Sequence, residues 1–304
     1  MPTPSELQNA RPRRSVFGNY HPATAAAQDP TAALGKPLAA AHSGKAAAFP
    51  ESIDLAVART FLYRILAKAF EDPEPEGWPW LTSTEVGDAL RSAARALAEE
   101  ALTDSAEQLL RQLSLSSWED FAAAHTACFG HTVRGDCPMN EIEYGDLKAD
   151  PLFQPHRLSD LGAFFAAFGL ELAPDAHERI DHISIELEFM SVLAAKEAHA
   201  LEHRHEDAAL ETLHDAQRKF LREHLGRWSP AFARRLTRMA EGTTLGAIAK
   251  LLGCFIKVEC ARLNVPAGSQ DLLLRPVDEP AERLCDSCGI HGLPPGAVTA
   301  GAKL

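Results

Sequence analysis

Through the middle of this chain apolar positions recur at three- and four-residue steps, the period of a helix with one face in a core. From residue 52, Leu55, Arg59, Leu62 and Leu66 fall in step with Phe61, Ile65 and Ala69 beside them. That spacing predicts a helix to about Phe70, stopped by Asp72-Pro73 and Pro75. Two more helices are expected over 84–101 and 103–113, and Ser116 followed by Glu119 has the capping-box spacing that opens another to about 129. Helix resumes over 159–168 and is ended by Gly169. Asp175 is the expected cap of a long central helix to about 201, followed by a helix over 207–225. Ser229-Pro230 reads as a cap and first helical position opening 230–241, and Thr243 or Thr244 starts a last apolar helix to about 263. No alternating strand pattern of useful length and no internal repeat occurs. The expected fold class is all-α, one globular helical bundle.

The stretch 181–190 of the central helix concentrates the polar groups that a purely structural helix does not need. Ile180, Ile183, Leu187, Met190, Leu193 and Ala194 form an apolar seam. Asp181, Ser184, Glu188 and Ser191 line one side of it, and His182, Glu186 and Phe189 the other. Such a helix can pack as core on one side and meet a partner on the other, or be an ordinary amphipathic helix with a solvated face.

The two ends have a different texture. Residues 1–50 carry Pro2, Pro4, Pro12, Pro22, Pro30, Pro37 and Pro50 with Ala, Gly and Ser between them and no period, which predicts an unfolded extension. Within it, Arg13-Arg14-Ser15-Val16-Phe17 superficially resembles a twin-arginine export signal, but the uninterrupted apolar segment such a signal needs is broken by Asn19, Tyr20, His21, Gln28, Asp29 and Lys36. After Pro266 the chain again turns to Pro, Gly and charge. The expected organisation is therefore an extension over 1–50, a helical domain over 51–264 and a flexible tail over 265–304. A break over 130–155, holding Gly135, Cys137-Pro138, Tyr144-Gly145 and Pro151, interrupts the helices, and a loop of that length inside a helical domain is usually functional.

Composition narrows the partners. Apolar residues make up 46% of the 304-residue chain, enough for a real core, and no stretch approaches the roughly 18 uncharged apolar residues of a membrane span. Lys and Arg total 30 against 42 Asp and Glu, a net charge of −12, which argues against nucleic acid as a partner and suits a basic one. The six cysteines are scattered through a chain that does not need disulfides for its core, and they read as reduced thiols of a cytoplasmic protein.

Chemistry-bearing motifs are sparse. No phosphate-binding glycine loop, nucleophile elbow or dinucleotide fingerprint is present. Two Glu-x-x-His pairs, Glu202…His205 and Glu211…His214, admit a di-metal carboxylate enzyme built on the 197–214 cluster, although they lie close together around one helix junction. A solvated polar helix end is the simpler reading of them. His199 and His203 have the spacing to hold a stray divalent ion. In the tail, Cys285-x-x-Cys288 followed by His291 has metal-ligand or redox spacing, but supplies only three of the four ligands of a zinc site. No cofactor is expected.

Three blocks in order carry a family resemblance: Gly130-His131-Thr132-Val133-Arg134-Gly135-Asp136-Cys137-Pro138-Met139-Asn140-Glu141-Ile142-Glu143-Tyr144-Gly145, then Leu161-Gly162-Ala163-Phe164-Phe165-Ala166-Ala167-Phe168-Gly169, then Asp181-His182-Ile183-Ser184-Ile185-Glu186-Leu187-Glu188-Phe189-Met190. They resemble the TorD/DmsD/NarJ family of molybdoenzyme maturation chaperones, and most of all the delta-type chaperones encoded with periplasmic DMSO-reductase-family enzymes acting on selenate, chlorate, dimethyl sulfide or ethylbenzene. The resemblance spans about 52–264. Departures are Ile180, where the family often has proline, and Asn140, where it often has an aromatic.

The resemblance implies an all-helical cytoplasmic chaperone, not an enzyme. Such a protein binds the cofactor-free catalytic subunit of a molybdenum enzyme, often through its twin-arginine signal peptide, and prevents export before the molybdenum cofactor is inserted. It assigns partner and signal-peptide binding to Asp181, His182, Glu186, Glu188, Pro138, Glu141, Glu143 and Tyr144. The carboxylates would meet guanidinium forks, and Phe164, Phe165 and Phe168 would border an apolar groove. Stable membrane insertion is not implied, and the long loop permits a swapped homodimer.

Overall fold

A computed structural model describes residues 15–17, 52–130, 135–145, 153–174, 176–204 and 207–275. The readings made above for Arg13-Arg14, His131, Asp175, His205, Cys285, Cys288 and His291 fall outside those residues. Among the described residues there are ten α-helices, two short 3-10 turns and no strand, so the chain is all-α. We label the helices α1 Ile53–Ala69, α2 Trp78–Leu81, α3 Thr84–Ala96, α4 Glu100–Leu115, α5 Trp118–Phe129, α6 Phe153–Ala167, α7 Ile183–Glu202, α8 Asp207–Glu223, α9 Leu225–Met239 and α10 Thr244–Arg262.

The ends of α1 are as the sequence predicts. The Ser52 hydroxyl accepts from the Leu55 N–H at 3.2 Å, and the helix closes at Phe70 just before Asp72-Pro73. Likewise Thr243 caps α10 by accepting from the Gly246 N–H at 3.2 Å. The helix expected over 84–101 instead stops at Ala96, because Ala98 adopts a left-handed conformation (φ 57°) that turns the chain into α4. The capping box of α5 sits one residue later than its expected spacing, with Ser117 and Asp120 exchanging bonds at 3.2 and 3.0 Å.

Helix α7 is the axis of the bundle. Its most extensive partner is α1, while α9, α10 and α4 form the adjoining layer and α8 closes one side. From Ile183 to Ala194 every residue except Glu188 is buried, so this half of α7 is not amphipathic but surrounded. Its first turn differs from expectation as well. Asp181 and His182 precede the helix rather than lie on its face, and His182 is the N-cap.

Helix α9 starts at Leu225, several residues before the expected Ser229-Pro230 start, and runs through Pro230. Proline cannot donate to the carbonyl four residues back, which here is that of Gly226. The orphaned oxygen is served from outside, by the Gly268 N–H at 2.9 Å. A side chain at 268 would put its Cβ 1.9 Å from the Arg227 oxygen, so only glycine allows this approach.

Short segments beyond both ends of the expected helical domain also pack on it. Residues 265–275 are docked rather than free, with Leu274 bridging Tyr144 and Val265 buried. At the other end, residues 15–17 of the extension are seated on the bundle, with Phe17 1% exposed.

Candidate functional site

The three sequence blocks meet at the N-terminus of α7. Residues 135–145 cross it as an irregular segment with a 3-10 turn at Glu141–Glu143: Asn140 pairs with His182 in an antiparallel bridge, the Glu141 N–H donates to the Asp181 carbonyl at 2.9 Å, and the Ile183 N–H to the Met139 carbonyl at 2.9 Å. On the outer side the same segment is held by the tail, where the Gly145 N–H donates to Leu273 at 3.0 Å and the Arg275 N–H to Glu143 at 2.9 Å. Residues 135–145 are thus clamped between two segments far away in sequence, and neither pairing was visible from periodicity.

Asp181 is the clip. Its fully buried carboxylate accepts from Arg179 Nε at 2.9 Å and the Arg179 terminal nitrogen at 2.8 Å, from the Ile142 N–H at 3.2 Å and from Asn140 Nδ2 at 3.3 Å. Glu141, also fully buried, lies against Arg227 at 3.1 Å, Arg157 at 3.4 Å and His224 Nδ1 at 2.8 Å. The other ring nitrogen of His224 lies 3.1 Å from Asp160, a carboxylate 44% exposed, so a carboxylate–imidazole–carboxylate chain runs from core to surface. Glu186 is buried beneath it. Its two oxygens accept the Trp228 indole N–H at 3.2 and 3.1 Å. Burial, and then the nearby Glu141 carboxylate, push the Glu186 pKa well up, which favours a proton on Glu186. Tyr144 packs on Trp228 and donates its hydroxyl to the Pro138 carbonyl at 2.8 Å, beneath Cys137.

Seven of the eight residues assigned to partner binding, namely Pro138, Glu141, Glu143, Tyr144, Asp181, His182 and Glu186, are therefore together, but in the interior. The carboxylate oxygens of Asp181 and Glu141, expected to meet a partner's guanidinium groups, are taken in this structure by this chain's own arginines and backbone. Glu186 holds an indole, and Glu143 lies 3.8 Å from Arg179. Glu188 is the exception. Two positions along a helix is about 200°, so it points away from Glu186, toward residues 15 and 16.

His182 is the titratable member with a readable consequence. Its Nδ1 accepts from the Ser184 N–H at 3.3 Å, capping α7, and burial pushes its pKa down to about 4 despite the neighbouring Asp181. The folded-state value lies below the ordinary 6.5, so between those two pH values the unfolded chain binds a proton that the folded chain refuses. Stability contributed by the neutral ring is then lost progressively as pH falls from about 6.5 to about 4, by up to about 3 kcal/mol. Asparagine keeps a capping acceptor without the titration, so His182→Asn should flatten this part of the urea-midpoint-against-pH curve. An unchanged slope would assign the effect to another group.

On the outer surface near the α1 C-terminus lies a cavity of about 160 Å³ whose rim carries Glu71, Asp72, Glu74 and Glu76, and whose wall is Trp78, Trp80, Trp118 and Phe121. Trp78 stacks on Phe121 with centroids 5.2 Å apart and meets Trp118 edge-on at 6.4 Å. Glu178 belongs to the same acidic patch: burial and then the charges of Asp72 and Glu71 raise its pKa. Helical periodicity does not join these aromatics to the acids. The signal was there, as four acids interleaved with Pro73 and Pro75 directly before Trp-Pro-Trp.

The metal reading finds less support. Among the described residues the group able to surround an ion is His199, Glu202 and His203, all from the end of α7. His214 instead lies 3.6 Å from Glu197, within a buried network around Arg59.

A family model described as nitrate reductase delta subunit matches residues 83–234, half of the chain. The chain belongs to this family. Its relatives include the perchlorate reductase assembly chaperone protein of Dechloromonas aromatica (strain RCB), 30% identical over 185 residues, 59% of this chain and 78% of the relative. The selenate reductase assembly chaperone protein of Thauera selenatis is 28% identical over 205 residues, 67% of this chain and 89% of the relative. Chaperone protein TorD of Vibrio cholerae serotype O1 (strain M66-2) is 31% identical over 117 residues, 38% of this chain and 51% of the relative. This delta-subunit relative is thus a molybdoenzyme chaperone of the TorD-like kind and not an enzyme. No helix among its described residues is long and apolar enough to cross a membrane.

Proposed function

We propose that this chaperone works in the cytoplasm on the cofactor-free catalytic subunit of a DMSO-reductase-family molybdenum enzyme. It holds that subunit and its twin-arginine leader until the molybdenum cofactor is in place, and so delays export. The observation that carries the reading is the acid-rimmed aromatic cavity of Glu71, Asp72, Glu74, Glu76, Trp78, Trp80 and Trp118. A leader offers guanidinium groups followed by apolar side chains, and carboxylates beside indole faces suit both. The net charge of −12 favours the encounter with a basic segment. The names of the relatives, chaperones of perchlorate and selenate reductases, point to a client of that class.

In this reading Pro138, Glu141, Glu143, Tyr144, Asp181, His182 and Glu186 serve binding by fixing the backbone under the surface, and Glu188 faces the peptide directly. A tagged pull-down from the native cytosol tests it. A large subunit still carrying its leader should be retained, and the exposed-site pair Glu74→Lys with Glu76→Lys should lower its recovery at least about fivefold, the scale of losing one or two exposed ion pairs of up to about 1 kcal/mol each. Failure to retain any leader-bearing subunit would refute the chaperone–client assignment, and undiminished recovery by the charge-reversed pair would move the binding face elsewhere.

A further inference from the structure

Residues 15–17 of the N-terminal extension lie in a groove with the bonding pattern of a bound peptide. The Ser15 hydroxyl donates to Glu188 Oε1, and the Val16 N–H donates to Glu188 Oε2 at 3.2 Å. The Ala173 N–H donates to the Val16 carbonyl at 2.7 Å, and Phe17 forms an antiparallel bridge with Leu172. The Phe17 ring is sunk into the core edge-on to Phe165, centroids 5.2 Å apart and planes at 80°. Main-chain bonds on both sides of one residue, a carboxylate holding the preceding hydroxyl and a pocket for one aromatic side chain are the parts of extended-peptide recognition. Burial raises the Glu188 pKa, an effect that the Ser15 and Val16 donors oppose, so those donors stabilise the ionised carboxylate.

The surroundings extend the pattern. Lys68 and Glu71, paired at 2.7 Å, act electrostatically on Glu188 and also line the acid-rimmed cavity, so groove and cavity are neighbours. The residues before Ser15 in the sequence are Arg13 and Arg14. A peptide reading Ser-Val-Phe thus has its hydroxyl, its main chain and its phenylalanine matched by the groove, and the acids of the neighbouring cavity suit a basic pair preceding them in a partner.

We infer that the groove formed by Glu188, Leu172, Ala173 and Phe165 is a peptide-recognition site filled at rest by this chain's own residues 15–17, and that it fits a partner peptide in which a basic pair precedes a hydroxyl and a phenylalanine. The inference rests on the proposed client reading only for the identity of that partner; the site and its internal occupant stand on the contacts above. The chain's own segment then competes with the client leader, and the apparent affinity for an outside peptide falls by the fraction of molecules whose groove is open.

The probe is a labelled synthetic peptide of residues 10–20 of this chain, titrated into the full-length protein. Phe17→Ala removes the internal anchor while leaving the groove intact, and should bind the probe at least about tenfold more tightly than the parent chain, the factor expected if the segment is docked in nine of ten molecules. Phe17→Ala with Glu188→Gln should lose that gain. Circular dichroism melting of each variant establishes that it is folded. Folded Phe17→Ala protein that binds the probe no better than the parent would make residues 15–17 a structural strap and overturn the inference. A parent protein that is dimeric and becomes monomeric with Phe17→Ala would place the segment in a second copy, overturning the internal occupant. Finally, equal client recovery by parent and Phe17→Ala chains in the pull-down would overturn the competition while leaving the client reading standing.

Discussion

Arg59→Met is expected to destabilise the domain by about 3–5 kcal/mol, a large fraction of the stability of an ordinary domain. Arg59 is completely buried on α1 and reaches three other helices: Glu259 of α10 at 2.8 Å, Glu197 of α7 at 2.6 Å and Gln217 of α8. Tyr63 adds its hydroxyl to Glu259 at 2.9 Å, and Arg262 sits 3.3 Å from the same carboxylate. Burial by itself would raise the pKa of both carboxylates. For Glu197 the His214 hydrogen bond and the Arg59 charge outweigh it, and for Glu259 the charges of Arg59 and Arg262 do, so both are held below the usual carboxylate range. Methionine would leave Glu197 and Glu259 together in the core with too little positive charge, and breaking such a cluster by removing one partner costs far more than the cluster itself contributes. The check is a urea titration in which the midpoint falls with the slope unchanged. Adding Glu259→Met to the Arg59→Met chain should recover part of the loss, since apolar replacements remove the orphaned charge. A midpoint within about 1 kcal/mol of the parent would mean that solvent or rearrangement satisfies the carboxylates.

The second large effect is expected at Asp181. Asp181→Ala takes away the acceptor of the Ile142 N–H, of Asn140 and of both Arg179 bonds, leaving a buried backbone donor and a guanidinium without their partner. A loss of about 3 kcal/mol is expected from those unmet groups. It should be local in character: amide protection at Glu141, Ile142 and Ile183 should fall before that of α10, because the crossing of 135–145 over the start of α7 is what the carboxylate holds. The same experiment separates two roles. A chain that loses client recovery together with that protection uses Asp181 as an internal clip. One that loses recovery with stability and protection intact would return Asp181 to the surface role the sequence had suggested.

How much of this was legible varies from element to element. The starts of α1 and α10 were readable because Ser52 and Thr243 bond to their own first turns, and a local signal needs nothing from the rest of the chain. The start of α9 was not, because what makes Pro230 tolerable inside a helix is an N–H from Gly268, more than thirty residues away. The three family blocks were legible as a set, yet their placement was not. A glutamate in a sequence looks like a solvated charge until the arginines that neutralise it are known, and Arg157, Arg179 and Arg227 come from three different segments. Arg59 gave a usable hint, a charge standing in step with an apolar stripe, but the sequence could not name Glu197, Glu259 and Gln217 as its partners.

By itself, then, the sequence determined the helical class, the helix ends with local caps, the acidic balance and the family, since each depends on residues near one another or on composition. Only the tertiary structure decided that the polar residues of 135–145 and 181–186 form a buried junction, that Glu188 alone among the assigned group turns outward from it, and that Ser15–Phe17 occupies the groove beside it. Those outcomes depend on which distant segments come to share a low-dielectric space, where a charge must find its partner, and no local pattern encodes that choice.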